Sequence, residues 1–265
     1  MRHFGSVVGP SVATTTLAAP GVWTMLEQQR LRRLTLWPTN GDAFFSSVFL
    51  LLSMDGTNGS QTITDTSGSP KTVTARGSAA ISTAQSRFGG ASCFCGGSGS
   101  YLTAPHPVLG ENDFVIEAWL NFTSIPSGYA TLWAGRATTG GYGGACLVSN
   151  SGSLEYFIAN SFAFSWQIAG GQAGLSLSAG TWQHIALVRN GSAITAYKNG
   201  VAGSSVSIGS SSIGVNGSQM SLMAGSAAGG QEVTGYVDEF RFTVGTNRGY
   251  TGSTIPVPSQ AFPGP

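Results

Sequence analysis

Apolar and polar residues alternate with a period of two along much of this 265-residue chain. From Asp113 to Phe122 the pattern places Phe114, Ile116, Ala118, Leu120 and Phe122 on one face. Val115, Glu117, Trp119 and Asn121 fall on the other, as a strand requires. Trp182, His184, Ala186 and Val188 alternate in the same way with Gln183, Ile185, Leu187 and Arg189. The next strand, Ile194 to Lys198, closes on Asn199-Gly200, a pair that tolerates the positive φ angles of a tight hairpin turn. Near the C-terminus, alternation predicts Val237, Glu239 and Arg241 on one face and Asp238, Phe240 and Phe242 on the other. It makes Glu239 and Arg241 an outward-facing ion pair. Val48 to Ser53 reads as a buried strand, and Thr62–Asp65 and Lys71–Ala75 as short ones. In Ala159 to Gln167, Phe162, Phe164 and Trp166 share one face of a further strand.

One stretch has helical character. Thr24-Met25-Leu26-Glu27 forms a capping-box pattern, in which the Thr24 side chain and the Glu27 carboxylate satisfy each other's backbone amides. Good helix formers continue from there until Trp37-Pro38 stops the run. Residues 1–22 are mostly Gly, Ala, Ser, Thr and Val, too poor in large apolar groups to build a core. They are expected to be a tail, or an arm that orders on a partner. Tyr250 to Pro265 has four prolines and no period. The chain therefore divides into an N-terminal arm with a short helix (1–38), a strand-rich body (39–247) and a Pro-rich tail (248–265). An all-β sandwich follows.

Composition sharpens this picture. Charged residues make up 9% and glycine 39 of 265 residues, far from ordinary usage in opposite directions. Many short strands joined by tight turns account for both. A formal charge of +1 gives no electrostatic case for nucleic acid, and the longest apolar run, Phe44 to Met54, is too short to span a bilayer. The N-terminus has no secretory pattern, so synthesis in a cytoplasm is expected. Three cysteines, an odd number, give no disulfide framework, and Cys93 and Cys95, two apart, are expected to pack in the core.

The segments Gly180–Gly191 and Gly235-Tyr236-Val237-Asp238-Glu239-Phe240-Arg241-Phe242-Thr243, with the hairpin between them, resemble the laminin-G-like branch of the concanavalin A-like lectin/glucanase superfamily. Ser86-Arg87-Phe88-Gly89-Gly90-Ala91-Ser92-Cys93-Phe94-Cys95, continuing to Tyr101-Leu102, resembles a phrase of virus-encoded members. That phrase usually carries acids where this chain has Gly96 and Ser100. The resemblance implies a jelly roll of two antiparallel sheets, used to hold sugars or to join surfaces. Gly21 to Leu31, ending at Trp37-Pro38, is similar to a segment of tail and appendage proteins of bacterial viruses. Together these imply a virion-surface protein, made in a host cytoplasm. Its arm would dock on other virion proteins, its sandwich would touch host-surface glycans or proteins, and identical copies would form a homo-oligomer. A carbohydrate-binding or adhesion module of a cellular protein is the alternative, and a glycoside hydrolase a third.

The residues speak against the third. Glycosidases of this superfamily space carboxylates as Glu-x-Asp-x-x-Glu along a strand, so that two flank one glycosidic bond. Glu111, Asp113 and Glu117 are stretched by one residue, and Gly110 to Asp113 reads as a turn. Asp238 and Glu239 are adjacent and leave a strand on opposite faces. No catalytic residue is assigned, no cofactor is required, and no metal ligand set is recognised. The resemblance leaves a structural calcium open at Asp55, Asp65 or Asp238; as turn residues Asp55 and Asp65 would instead bond their own backbone, and Asp238 would accept from a turn amide. Pyranose faces are apolar and their rims polar, so sugar binding calls for aromatic rings edged by hydrogen-bonding groups. Arg136, Tyr142 and Trp166 are the candidate ligand-binding residues.

Overall fold

A computed structural model describes residues 41–136, 143–160, 166–214 and 217–264. Residues 41–265 form one compact unit. The expected helix between Thr24 and Trp37 lies outside the described residues, as do Tyr142, Phe162 and Phe164. In chain order the strands are β1 (Val48–Leu52), β2 (Thr74–Arg76), β3 (Ala80–Ser82), β4 (Ser92–Gly96), β5 (Tyr101–Pro105), β6 (Phe114–Phe122), β7 (Tyr129–Ala134) and β8 (Ala145–Asn150). They continue as β9 (Ser153–Ala159), β10 (Trp166–Ser176), β11 (Gln183–Asn190), β12 (Ala193–Lys198), β13 (Val201–Ser207), β14 (Gln219–Leu222) and β15 (Thr234–Val244).

They make two antiparallel sheets. The eight-stranded sheet runs β13-β12-β11-β6-β15-β4-β3, with β1 also on β15, and the seven-stranded sheet runs β10-β9-β8-β7-β14-β5-β2. This is the all-β sandwich that the alternating patterns predict, with the two-sheet jelly-roll form that the resemblance implies. Phe114, Ile116, Leu120 and Phe122 of β6 and Ile185 and Leu187 of β11 face Trp133, Leu147, Tyr156 and Leu222 of the other sheet in one core. Cys93 and Cys95 belong to that core as free thiols. The Asn199-Gly200 turn takes φ of 48° and 81°, as its hairpin demands. Glycine also serves contact between sheets: a Cβ on Gly203 of β13 would lie 2.1 Å from the Ala173 carbonyl oxygen of β10.

Two expected strands change. Thr62–Asp65 is not a strand, because the Asp65 carboxylate accepts from the amides of Leu51, Ser67 and Lys71 and from the Ser67 hydroxyl. The second strand, predicted over Lys71–Ala75, is confined to Thr74–Arg76.

The larger correction is in β15. Asp238 stands opposite Trp119 and Arg241 opposite Glu117, so β15 spends one residue more than β6 over this interval. Glu239 takes a φ of +50° there. Such a bulge resets alternation. Val237, Phe240 and Phe242 all reach the core, while Asp238 and Arg241 face away from it. Glu239 is therefore not an exposed partner of Arg241. It is 1% exposed and accepts from the Phe262 amide. The bulge also lets β15 change neighbours, from β4 at Thr234–Val237 to β1 at Phe240–Thr243.

Arg241 instead meets Glu117. Its Nη2 lies 2.7 Å and its Nε 2.9 Å from Glu117 Oε1, and Asp42 approaches its Nη1 at 3.1 Å. Glu117 Oε2 is 3.1 Å from His184 Nε2 and accepts from the Tyr250 hydroxyl at 3.4 Å. Arg248 closes the set through Asp42 at 2.7 Å. The Phe262 ring covers the Arg241 guanidinium at 3.8 Å. Tyr250 and Ile255 pack on Val115, Ala186, Val188 and Tyr197. Both ends of the described chain thus close the outer face of the eight-stranded sheet.

Removing one partner of a fully buried ion pair strands the other, at about 3–5 kcal/mol. Glu117→Gln is expected to cost that much in chemical denaturation, comparable to the about 3–5 kcal/mol cavity left by Phe240→Ala. A loss under about 1 kcal/mol for Glu117→Gln would show that the network contributes nothing to the fold.

Stability also carries a signature of the bulge. Burial, opposed by the Arg87 and Phe88 amides, raises the Asp238 carboxyl to about 7. Burial, opposed by the Phe262 amide and aided by Asp238, raises Glu239 to about 7. Raised folded-state values mean that the native state holds protons that the unfolded chain has released. Stability is then full below about pH 4 and declines as pH rises through about 7. Glu117 acts oppositely. Burial alone would raise it, but Arg241 and His184 hold it down to about 2, so its contribution is lost only as pH falls toward 2. His106, lowered to about 4 by burial, offsets one of the two raised carboxyls over the middle range. In EDTA the melting temperature is expected to fall between pH 5 and pH 8. Asp238→Asn should flatten that slope and melt above the parent at pH 8. A parent protein that gains stability from pH 5 to 8 would overturn the protonated-pair account.

Candidate functional site

The outer face of the seven-stranded sheet presents an open groove of about 230 Å³. Its floor comes from alternate residues of adjacent strands. Leu154, Tyr156 and Ile158 of β9 enter the core, which turns Glu155 and Phe157 outward. Val148 of β8 stands opposite Glu155, and Cys146 opposite Phe157. Tyr129 opens β7 and Trp166 opens β10, and both line the groove.

Three of the rings form a ladder across the strands. Tyr129 and Phe157 lie 6.0 Å apart at 72°, and Phe157 and Trp166 lie 5.4 Å apart at 62°. Edge-to-face packing of this kind fixes each ring against the next. Tyr129 is 48% exposed, an unusual place for a large ring without a use. Burial and the nearby Glu155 carboxylate raise its hydroxyl, and Glu155 accepts from Asn150 Nδ2 at 3.1 Å.

At the other wall, just past β7, stands Arg136. It donates through Nε to the Gly225 carbonyl and through Nη2 to Gln231 Oε1 at 2.9 Å. Thr131 donates to the same Gln231 oxygen at 3.1 Å. The Arg136 guanidinium is 5.9 Å from the Trp166 ring centre. Cys146 beneath it is a buried thiol whose value burial pushes up to about 11, against the pull of the Arg136 charge. It is no nucleophile. Of the three predicted ligand residues, the structure thus brings Arg136 and Trp166 into one groove, and Tyr142 lies outside the described residues. Tyr129, Phe157 and Gln231 belong to the groove as well. No sequence signal singles them out, because their convergence depends on how the strands line up and on the loop between β14 and β15 that brings in Gln231.

The carboxylates considered for hydrolysis stand elsewhere. Glu111 is exposed in the turn before β6. Asp113 accepts from the Gly191 amide at 2.6 Å and from Asn247. Glu117 lies under the closed outer face of the other sheet, fully buried. None of them faces the groove.

Among the described residues no three His, Cys, Asp or Glu side chains gather to hold a metal ion. Asp65 spends both oxygens on backbone and hydroxyl donors. At the bulge, Asp238 Oδ1 and Glu239 Oε1 are buried without a partner, and Asp55 raises both carboxyls. Two orphan oxygens are well short of the six to eight that calcium takes, so the residues present do not make a calcium cage.

No curated protein sequence matches the chain. Solved structures do. The binding domain of paraclostridial mosquitocidal protein 1 superposes with a TM-score of 0.59 at 16% identity, covering 76% of this chain and 49% of that one. The receptor binding domain of botulinum neurotoxin D gives 0.57 at 16%, over 76% and 50%. The serotype D ligand binding domain in complex with N-acetylneuraminic acid gives 0.57 at 15%, over 76% and 48%. This chain spans about half the length of those structures, and at such identity the likeness is one of fold. Residues 96–244, more than half of the sequence, match a laminin-G family, and the chain accordingly belongs to the concanavalin A-like lectin/glucanases superfamily.

Proposed function

We propose that this protein is a non-enzymatic binding protein that holds a surface glycan in the groove of its seven-stranded sheet. The observation that carries this reading is the ring ladder Tyr129–Phe157–Trp166, open to solvent and edged by Arg136 and Gln231. Rings offer an apolar plane to a pyranose face, and the guanidinium and amide meet its hydroxyl rim. Support also comes from relatives by fold whose names are those of binding domains, one of them in complex with a sugar acid.

The non-enzymatic part rests on chemistry. A glycosidase needs a proton donor beside the leaving oxygen and a carboxylate across from it. Glu117, held near 2 and sealed from solvent, has no proton to give and no substrate within reach. Glu155, near the Tyr129 end, accepts from Asn150, and among the described residues no carboxylate lines the groove.

For the setting we propose the virion surface of a bacterial virus, with the sandwich turned toward the host envelope. The supports are the sequence phrase from Gly21 to Pro38 and the virus-like phrase from Ser86 to Leu102. The first 38 residues would be the docking arm, on other virion proteins and on identical copies.

Multimerised protein is expected to bind host envelope glycans on an array while releasing no sugar from β-glucans or other polysaccharides. Trp166→Ala and Tyr129→Ala should each cut the array signal about tenfold or more and leave the melting temperature near that of the parent. Turnover abolished by Glu117→Gln or Glu155→Gln would sink the non-enzymatic reading. A blank array would leave a structural, particle-reinforcing role in its place.

A further inference from the structure

We infer that the groove selects carboxylate-bearing saccharides, such as sialylated or uronic-acid glycans, through the Arg136 guanidinium. This deepens the glycan-binding reading above and rests on it. A guanidinium carries five N–H donors in a planar fork. Arg136 spends one through Nε on the Gly225 carbonyl and one through Nη2 on Gln231. Its Nη1 meets no acceptor among the described residues, and no Asp or Glu among them lies within ion-pair distance of Arg136.

The contrast with the other arginines of the sandwich gives this weight. Arg241 and Arg248 have carboxylate partners. Arg189 is buried and spends its donors on the carbonyls of Gly110 and Gly191. Arg87 stacks on Phe88 and on Trp119 at 4.1 Å, outside the groove. Arg136 alone of these lines the ring ladder, anchored by two neutral acceptors that orient the fork without neutralising it. Its charge is felt in the groove floor, where it acts on the Cys146 thiol.

A carboxylate fits this arrangement better than a hydroxyl. Hydrogen bonds between two charged groups are shorter and about twice as strong as neutral ones, and the planar fork matches a planar two-oxygen acceptor. The Gln231 amide stands beside the fork for a neighbouring hydroxyl, and Trp166, 5.9 Å from the guanidinium, offers its face to the sugar ring. Glu155, at the Tyr129 end of the ladder, sets the direction: an anionic group is drawn to the Arg136 end and repelled from the other.

Titration calorimetry with matched pairs tests this: sialyllactose against lactose, a glucuronic-acid oligosaccharide against its neutral glucose counterpart, and a sulphated oligosaccharide as a third anion. The carboxylated member of each pair is expected to bind about tenfold or more tightly than its parent, with an affinity that falls as salt rises. Arg136→Gln should erase that preference by weakening the acidic member of each pair far more than the neutral one, while Arg136→Lys keeps part of it. Trp166→Ala should weaken acidic and neutral ligands alike. A melting curve for each variant separates loss of fold from loss of contact. Equal affinity for acidic and neutral members, or indifference to Arg136→Gln, overturns the carboxylate assignment and leaves the groove as a neutral-sugar site. A preference for sulphated over carboxylated ligands overturns it as well. Failure of every saccharide to bind, with Trp166→Ala silent, overturns the glycan-binding reading itself.

Discussion

The sandwich depends on a single buried carboxylate. Glu117 sits at the middle of β6, a strand hydrogen-bonded on both sides, with no exposure to water. A bare charge there would cost far more than the fold has to spare, so its partners must be in place whenever the sheet is. Those partners come from far apart in the chain: His184 on β11, Arg241 on β15, and Tyr250 from the C-terminal stretch. Asp42, from before β1, then holds both Arg241 and Arg248. Register between β6, β11 and β15 and closure of both ends of the described chain therefore follow from one ionised side chain. Such networks contribute less to stability than to uniqueness, because a shifted register would leave the charge unpaired.

This constraint also decides which face is free. The outer side of the eight-stranded sheet is occupied by Tyr250, Ile255 and Phe262 and by the network beneath them. The outer side of the seven-stranded sheet carries no such cover over Tyr129, and its rings pair with one another in an open groove. One sheet is committed to holding the chain together, and on the proposed reading the other is left to meet a ligand. The glutamate that sequence spacing singles out for hydrolysis belongs to the structural face.

Much of this was legible in the residues and some was not. The alternation in β6 and β11 and the Asn199-Gly200 turn each follow a local rule, and each is found. Glu239 is where local reading stops. Strict alternation from Val237 puts it in the open with Arg241, and only the fold reveals the extra residue in β15 and the Phe262 amide that covers it. A bulge is a property of two strands, so one strand's sequence cannot announce it. The same holds for Thr62–Asp65, where an aspartate side chain takes the amides that a strand would have paired. Arg136 and Trp166 were reachable from the chemistry that sugar binding demands. Tyr129 and Phe157 were not, because they approach only through the ordering of β7 to β10, nor was Gln231, which arrives on the loop between β14 and β15.

The form of the groove bears on how such a protein would work. It is open, shallow and lined by a few rings, with one oriented cation. Such a site loses little to ordering on binding, since the rings are already braced and the guanidinium already anchored. It also gains little, because most of a saccharide would remain in water. Weak single-site affinity follows from the geometry, and useful adhesion then requires many grooves held at once. Linked sites turn each later contact into an intramolecular event, raising avidity without any new contact. On the proposed reading the segment 1–38 gathers identical copies, and weak grooves repeated on one particle would bind a dense glycan surface yet release a sparse one. On this reading the modest chemistry of the groove is a condition of its selectivity rather than a defect.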